Sequence, residues 1–144
     1  MTVRDGRDRE PCIHVEAFSI EAEVPGGPEA PRRARTFVRR ALANRVPADL
    51  QPDIALLVTE LVANGVRHGG ADADAALHVR VHGRPPALRV EVVDPGSRRA
   101  WVRRRPADLD GGGGLGLHIV DRVADRWGVA DGPGTRVWFE VDWA

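Results

Sequence analysis

The chain has 144 residues, 42% of them hydrophobic, with 21 basic and 21 acidic side chains that cancel at neutral pH. That length supports one domain with its own core, and zero net charge removes any bulk electrostatic drive toward nucleic acid or an anionic membrane. Every basic residue is arginine, tyrosine is absent and Cys12 stands alone, which excludes a phosphate-loop lysine, a Schiff base, a tyrosine nucleophile, an internal disulfide and a multi-cysteine zinc site.

Residues 1–10, MTVRDGRDRE, are charged and lack an apolar stretch; they are expected to be disordered ahead of a single domain over 11–144. CIHVEAFSIEAEV (12–24) alternates in part and predicts a first strand. After the break PGGP, PEAPRRARTFVRRAL reads as a helix with the apolar face Ala34, Phe37, Val38, Ala41 and Leu42. The connector ANRVPADLQP ends in Pro52, suited to the first turn of a second helix. That helix runs through DIALLVTELVANGVRHG and stops at Gly69-Gly70.

ALHVRVHG and ALRVEVVD then alternate with period two, joined by GRPP as in a hairpin. Beyond Asp94 the pattern lapses through PGSRRAWVRRRPADLDGGGG, a loop of about 20 residues, longer than compact domains tolerate without a functional use. LGLHIVDRVADRWG resumes helical spacing through Leu117, Val120, Val123, Ala124 and Trp127, and VADGPGTRVWFEVDW closes as a strand pair around DGPG. The order β-α-α-β-β-loop-α-β-β predicts an α/β two-layer sandwich, a mixed but mostly antiparallel sheet with helices on one face. No run approaches the roughly 20 apolar residues a membrane span needs, so a cytoplasmic protein with no membrane contact is expected.

Three stretches carry chemistry. On the second helix Ile54, Leu57, Val58, Leu61 and Val62 form the buried stripe, while Glu60 and Asn64, four apart, share another side. A carboxylate and an amide oxygen there suit a hard cation such as Mg²⁺, the carboxylate alone suits a general base, and a solvated helix face has the same composition. Asp94 at a strand end, followed by Pro95-Gly96, can accept an N–H from a flat ligand that approaches over the glycine; an ordinary turn aspartate looks alike. GGGGLGLHIV sets exposed backbone N–H groups at a helix start, a phosphate site in outline. It lacks the lysine of a Walker loop, and the preceding loop is too long for a dinucleotide fingerprint.

In order, ELVANGVRHG, VEVVDPG, GGGGLGLHIV and GTRVWFEV resemble the N box, the two glycine boxes and the closing threonine strand of the GHKL (Bergerat-fold) ATP-binding proteins. Their spacing is most similar to the bacterial anti-sigma factor serine/threonine kinases of the RsbW and SpoIIAB type, over about residues 12–142. The resemblance implies ATP and Mg²⁺ as cofactors. It makes Asn64 the Mg²⁺ ligand and Glu60 the catalytic base, with Arg67 and His68 as the arginine-histidine pair that follows. It further implies that Asp94 accepts the adenine amine with Gly96 beneath the purine. Gly112, Gly114, Leu115, Gly116 and Leu117 would form the box around the triphosphate, Thr135 would support the adenine end, and residues 97–112 would be the ATP lid. The implied partners are an anti-anti-sigma (STAS) protein carrying the acceptor serine and a sigma factor, with a homodimer as the implied assembly. Gly65 departs from the alanine usual there, and the glycine run leaves the box register open by one residue.

Other residues are assigned blander roles. His78 and His82 share a strand face without a third ligand and are read as structural; His118 packs, Cys12 and His14 form no nucleophile site, and Trp127, Trp138 and Trp143 are core or sheet-face aromatics. Arg103-Arg104-Arg105 is read as a solvated patch from which one arginine could reach a γ-phosphate. Two rival functions stand beside the kinase: a non-catalytic module that senses ATP or ADP, and a stand-alone histidine kinase catalytic domain.

Overall fold

The computed structural model describes residues 17–68, 75–94, 115–130 and 135–143. In chain order these form β1 (Phe18–Pro25), α1 (Ala30–Leu42), α2 (Gln51–His68), β2 (Ala76–Arg84), β3 (Ala87–Asp94), α3 (Leu115–Val123), β4 (Arg126–Ala130) and β5 (Thr135–Asp142). The sheet has five strands in the order β1-β2-β3-β5-β4, and every pairing is antiparallel.

Period two decides the sheet's two faces. Leu77, Val79 and Val81 of β2, Leu88, Val90 and Val92 of β3, and Val137, Phe139 and Val141 of β5 are buried on one side. Against them pack Ala34, Val38 and Leu42 of α1, Ile54, Leu57, Val58, Leu61 and Val62 of α2, and Val120 of α3. Each fully buried Val, Leu or Ile contributes about 1.5–3 kcal/mol of transfer free energy. The helix connection is fixed by Gln51, whose amide donates to the Val46 carbonyl at 2.9 Å and the Leu42 carbonyl at 3.4 Å. The Leu42 carbonyl at the end of α1 also accepts the Arg45 N–H at 2.9 Å and the Val46 N–H at 3.2 Å, so the turn out of the helix closes on one acceptor.

The opposite sheet face carries a lattice of ions, as a one-sided antiparallel sheet allows. Arg89 donates to Glu91 at 2.8 Å and Glu140 at 3.1 Å and lies 4.1 Å over the Trp138 ring. Arg126 donates to Glu140 at 2.6 Å and by two nitrogens to Asp142. Those bonds hold the Glu140 and Asp142 carboxyls below their ordinary values of 4.5 and 3.8. A depressed folded pKa gives stability that is complete above the unfolded value and lost as pH falls through the folded one. Arg126→Gln is therefore expected to lower the urea midpoint at pH 7 and to leave it nearly unchanged at pH 2. Equal loss at both pH values would remove the ion pairs as the cause.

The two histidines of β2 have the structural roles assigned to them. His82 Nδ1 is 2.9 Å from the Ser19 hydroxyl, and His78 Nε2 is 3.2 Å from Glu21, which also pairs with Arg80. Trp127 and Trp143 pack against the core.

The third helix corrects the sequence reading. Helical spacing suggested continuation through Trp127 and Gly128, but α3 ends at Val123 and those residues belong to β4. Sheet pairing overrides the local period. The Asp125 N–H donates to the Glu140 carbonyl at 3.0 Å, and its carboxylate accepts the Asp142 N–H at 2.7 Å. Trp127 then faces the core opposite Phe139 and donates from Nε1 to Asp121 of α3 at 2.9 Å. Gly128 is required beneath Trp138, because a Cβ there would lie 2.8 Å from the indole. At the other end of the chain β1 begins at Phe18; the strand expected over 12–24 otherwise falls outside the described residues through position 16.

Candidate functional site

Among the described residues four polar side chains are buried: Asn64, Glu91, Asp94 and Thr135. Glu91 is accounted for on the outer sheet face by Arg89 at 2.8 Å and Arg136 at 3.6 Å. The other three belong to the helix-covered side. Asp94 continues the inward series Leu88, Val90, Val92, and Thr135 begins the inward series of β5. The two face each other in register across β3 and β5, which places their Cβ atoms about 4.5–5.5 Å apart. Asn64 is on α2, which packs against both of those strands.

These burials are costly as they stand. Among the described residues the Asn64 amide nitrogen and the Thr135 hydroxyl have no hydrogen-bond partner, and each such group costs about 1–3 kcal/mol in a closed site. Amide nitrogen and oxygen exchange places by a flip that leaves the shape unchanged, so Asn64 can offer either a donor or an oxygen ligand. Asp94 is 1% exposed at the sheet's end, an acceptor-only group when ionised.

Glu60 is half-buried one turn before Asn64, and Arg67 is exposed. His68 ends α2, while Leu115, Gly116 and Leu117 open α3, whose N-terminus carries the positive end of its backbone dipole. Gly96, Gly112, Gly114 and the lid at 97–112 lie outside the described residues, as do Cys12, His14 and Arg103–Arg105. Among the described residues no group of three or more His, Cys, Asp or Glu side chains is placed to hold a metal ion. No described helix is long and apolar enough to cross a membrane.

One feature escaped sequence reasoning. The flank of α1 beside its apolar face gathers Arg32, Arg33, Thr36, Phe37 and Arg40 around a surface hollow. The signal was present in the spacing of Arg33, Phe37 and Arg40, and in a helix that contains no acid.

The chain matches the model of the histidine kinase-like ATPase domain over residues 24–141. No curated protein matches it. Among solved structures it is similar to the RsbU and RsbW domains of Rv1364c from Mycobacterium tuberculosis, with a TM-score of 0.65 at 18% identity. That match covers 87% of this chain and 32% of the other, so the chain spans about a third of that protein's length. It is also similar to a chain of the SiaB–SiaC complex from Pseudomonas aeruginosa, with a TM-score of 0.56 at 15% identity over 85% of this chain and 88% of that one. At such identities the structures speak for the fold, and the family model for membership. By the match over 24–141, the chain belongs to the histidine kinase-like ATPase domain family.

Proposed function

We propose that this site binds ATP with Mg²⁺ and that the chain is a regulatory kinase, transferring phosphate to a serine on a STAS-type anti-anti-sigma partner. The observation that carries the reading is the set of buried polar groups: Asp94, with Asn64 and Thr135 lacking hydrogen-bond partners among the described residues. In a member of this family their burial is best explained by a polar, largely enclosed ligand. The residues fit the nucleotide. Asp94 accepts the adenine amine N–H, Thr135 supports the same end through water, and the Asn64 amide oxygen holds the cation. By the family resemblance Gly96 would come beneath the purine. The box Gly112, Gly114, Leu115, Gly116 and Leu117 lines the phosphates with backbone N–H groups, and Arg67 and His68 border the cation.

Bound Mg²⁺-ATP supplies a γ-phosphoryl group whose charge is partly neutralised. Glu60 accepts the proton of the incoming serine hydroxyl as the new P–O bond forms and the bond to ADP breaks. Most of the rate comes from positioning. Sequestration of a sigma factor and a homodimeric assembly belong to the same reading, and one of the matched structures is itself a two-protein complex.

Titration calorimetry with ATP, ADP and GTP, each with and without Mg²⁺, tests the pocket. Adenine-selective binding that tightens with Mg²⁺ is expected; equal affinity for GTP would remove Asp94 from base recognition, and no binding would leave a pure interaction module. The chemistry is tested by incubation with a STAS protein and Mg²⁺-ATP. Acid-stable phosphoserine is expected, whereas an acid-labile product would indicate histidine.

A further inference from the structure

We infer that the Arg33–Phe37–Arg40 flank of α1 is a docking surface for an acidic segment of a partner protein carrying one apolar side chain, a conclusion independent of the nucleotide reading. On the outer sheet face Arg80, Arg89, Arg126 and Arg136 each meet a carboxylate. On α1, by contrast, the Arg33 and Arg40 side chains are exposed and have no ion pair or hydrogen bond among the described residues, in a helix that carries five arginines in 13 residues. Arg32 meets only Glu29 at 2.9 Å, in a pair whose side chains are 70% and 58% exposed, a solvated contact worth little.

Helix stability does not account for this charge. Arg39 and Arg40 suit the last turn, where the backbone dipole favours cations, but Arg32 and Arg33 stand near the start, where it opposes them. No acid occupies the first turn to offset them. Between the arginines Phe37 is half-buried against the core, and its remaining surface borders the hollow shared with Thr36 and the three guanidinium side chains.

The chemistry selects the occupant. Guanidinium forks bind carboxylates in pairs of parallel hydrogen bonds, and an aromatic surface among them gives an apolar anchor a desolvated seat. Seven helical positions separate Arg33 from Arg40, about 10 Å along the axis. Two carboxylates spaced by two turns of a partner helix match that span, with a leucine-sized side chain between them. A nucleic acid needs no apolar seat, and the chain's zero net charge offers it no long-range attraction.

The test uses the full chain and a fluorescent 14-residue helical peptide rich in glutamate with one central leucine, alongside polyglutamate of equal length and a short DNA duplex. Anisotropy should show saturable binding of the leucine peptide by the wild type, tighter than of polyglutamate or DNA. Arg33→Glu with Arg40→Glu should weaken it about tenfold or more, while Arg35→Glu with Arg39→Glu, the same charge change away from the hollow, should leave it within about twofold. Equal loss in both double variants would mean that net charge alone was felt, and would overturn the surface. Absence of saturable peptide binding, or tighter binding of DNA, would overturn it as well. ATP calorimetry on both variants separates this outcome from that of the nucleotide site, because neither pair of arginines belongs to it.

Discussion

Asp94→Asn is expected to weaken adenine-nucleotide binding by about 30-fold or more while the fold survives. Asp94 is buried at the end of β3, opposite Thr135. The substitution keeps the shape and replaces an acceptor-only group with one that presents an NH₂. In the proposed pocket that NH₂ faces the adenine amine, donor against donor. Losing a charge-assisted bond and leaving buried donors unmatched together cost about 2–4 kcal/mol, or about 30- to 1,000-fold in affinity. Calorimetry measures the loss, and circular dichroism with a thermal melt checks the fold. An affinity within about threefold of wild type, with the melt unchanged, would show that the carboxylate does not read the base. A collapse of the melt would instead assign Asp94 to the sheet, and Thr135→Val then becomes the cleaner probe of the same end.

What was legible in the sequence follows from which forces are local. The stripe Ile54, Leu57, Val58, Leu61, Val62 and the alternation of β2, β3 and β5 are set by burial against a single layer, so period alone revealed them. The end of α3 was not legible. Leu117, Val120, Val123, Ala124 and Trp127 keep helical spacing, yet Asp125 bonds across to Glu140 and Asp142. Those partners are 15 and 17 residues away, and nothing in the local pattern announces them.

The site divides in the same way. Glu60 and Asn64 were legible as a pair because they sit one turn apart, but only burial distinguishes Asn64, which is 2% exposed, from an ordinary solvated amide. Thr135 had no signal of its own. Its significance lies in facing Asp94 across strands joined through 40 residues of intervening chain, a contact made by topology. The α1 arginines were visible as residues and unreadable as a surface, because whether an arginine is paired depends on where every carboxylate ends up.

Glu60→Ala should separate binding from chemistry. Glu60 is half-buried one turn before Asn64 on α2, open enough to meet an incoming hydroxyl. As the proposed base it contributes nothing to adenine recognition and about 10²- to 10⁴-fold to phosphoryl transfer. The variant is expected to bind ATP within about twofold of wild type and to phosphorylate a STAS partner at least about 10²-fold more slowly. Asn64→Ala provides the contrast. Removing the oxygen ligand should abolish the Mg²⁺-dependent part of ATP affinity, so binding with and without Mg²⁺ converges in that variant and not in Glu60→Ala. Transfer at an undiminished rate in Glu60→Ala would remove the base and leave positioning as the whole of the catalysis. If the wild type transfers no phosphate to any STAS partner and Glu60→Ala alters only the affinity for that partner, the non-catalytic sensor becomes the better account, with Glu60 as part of its docking surface.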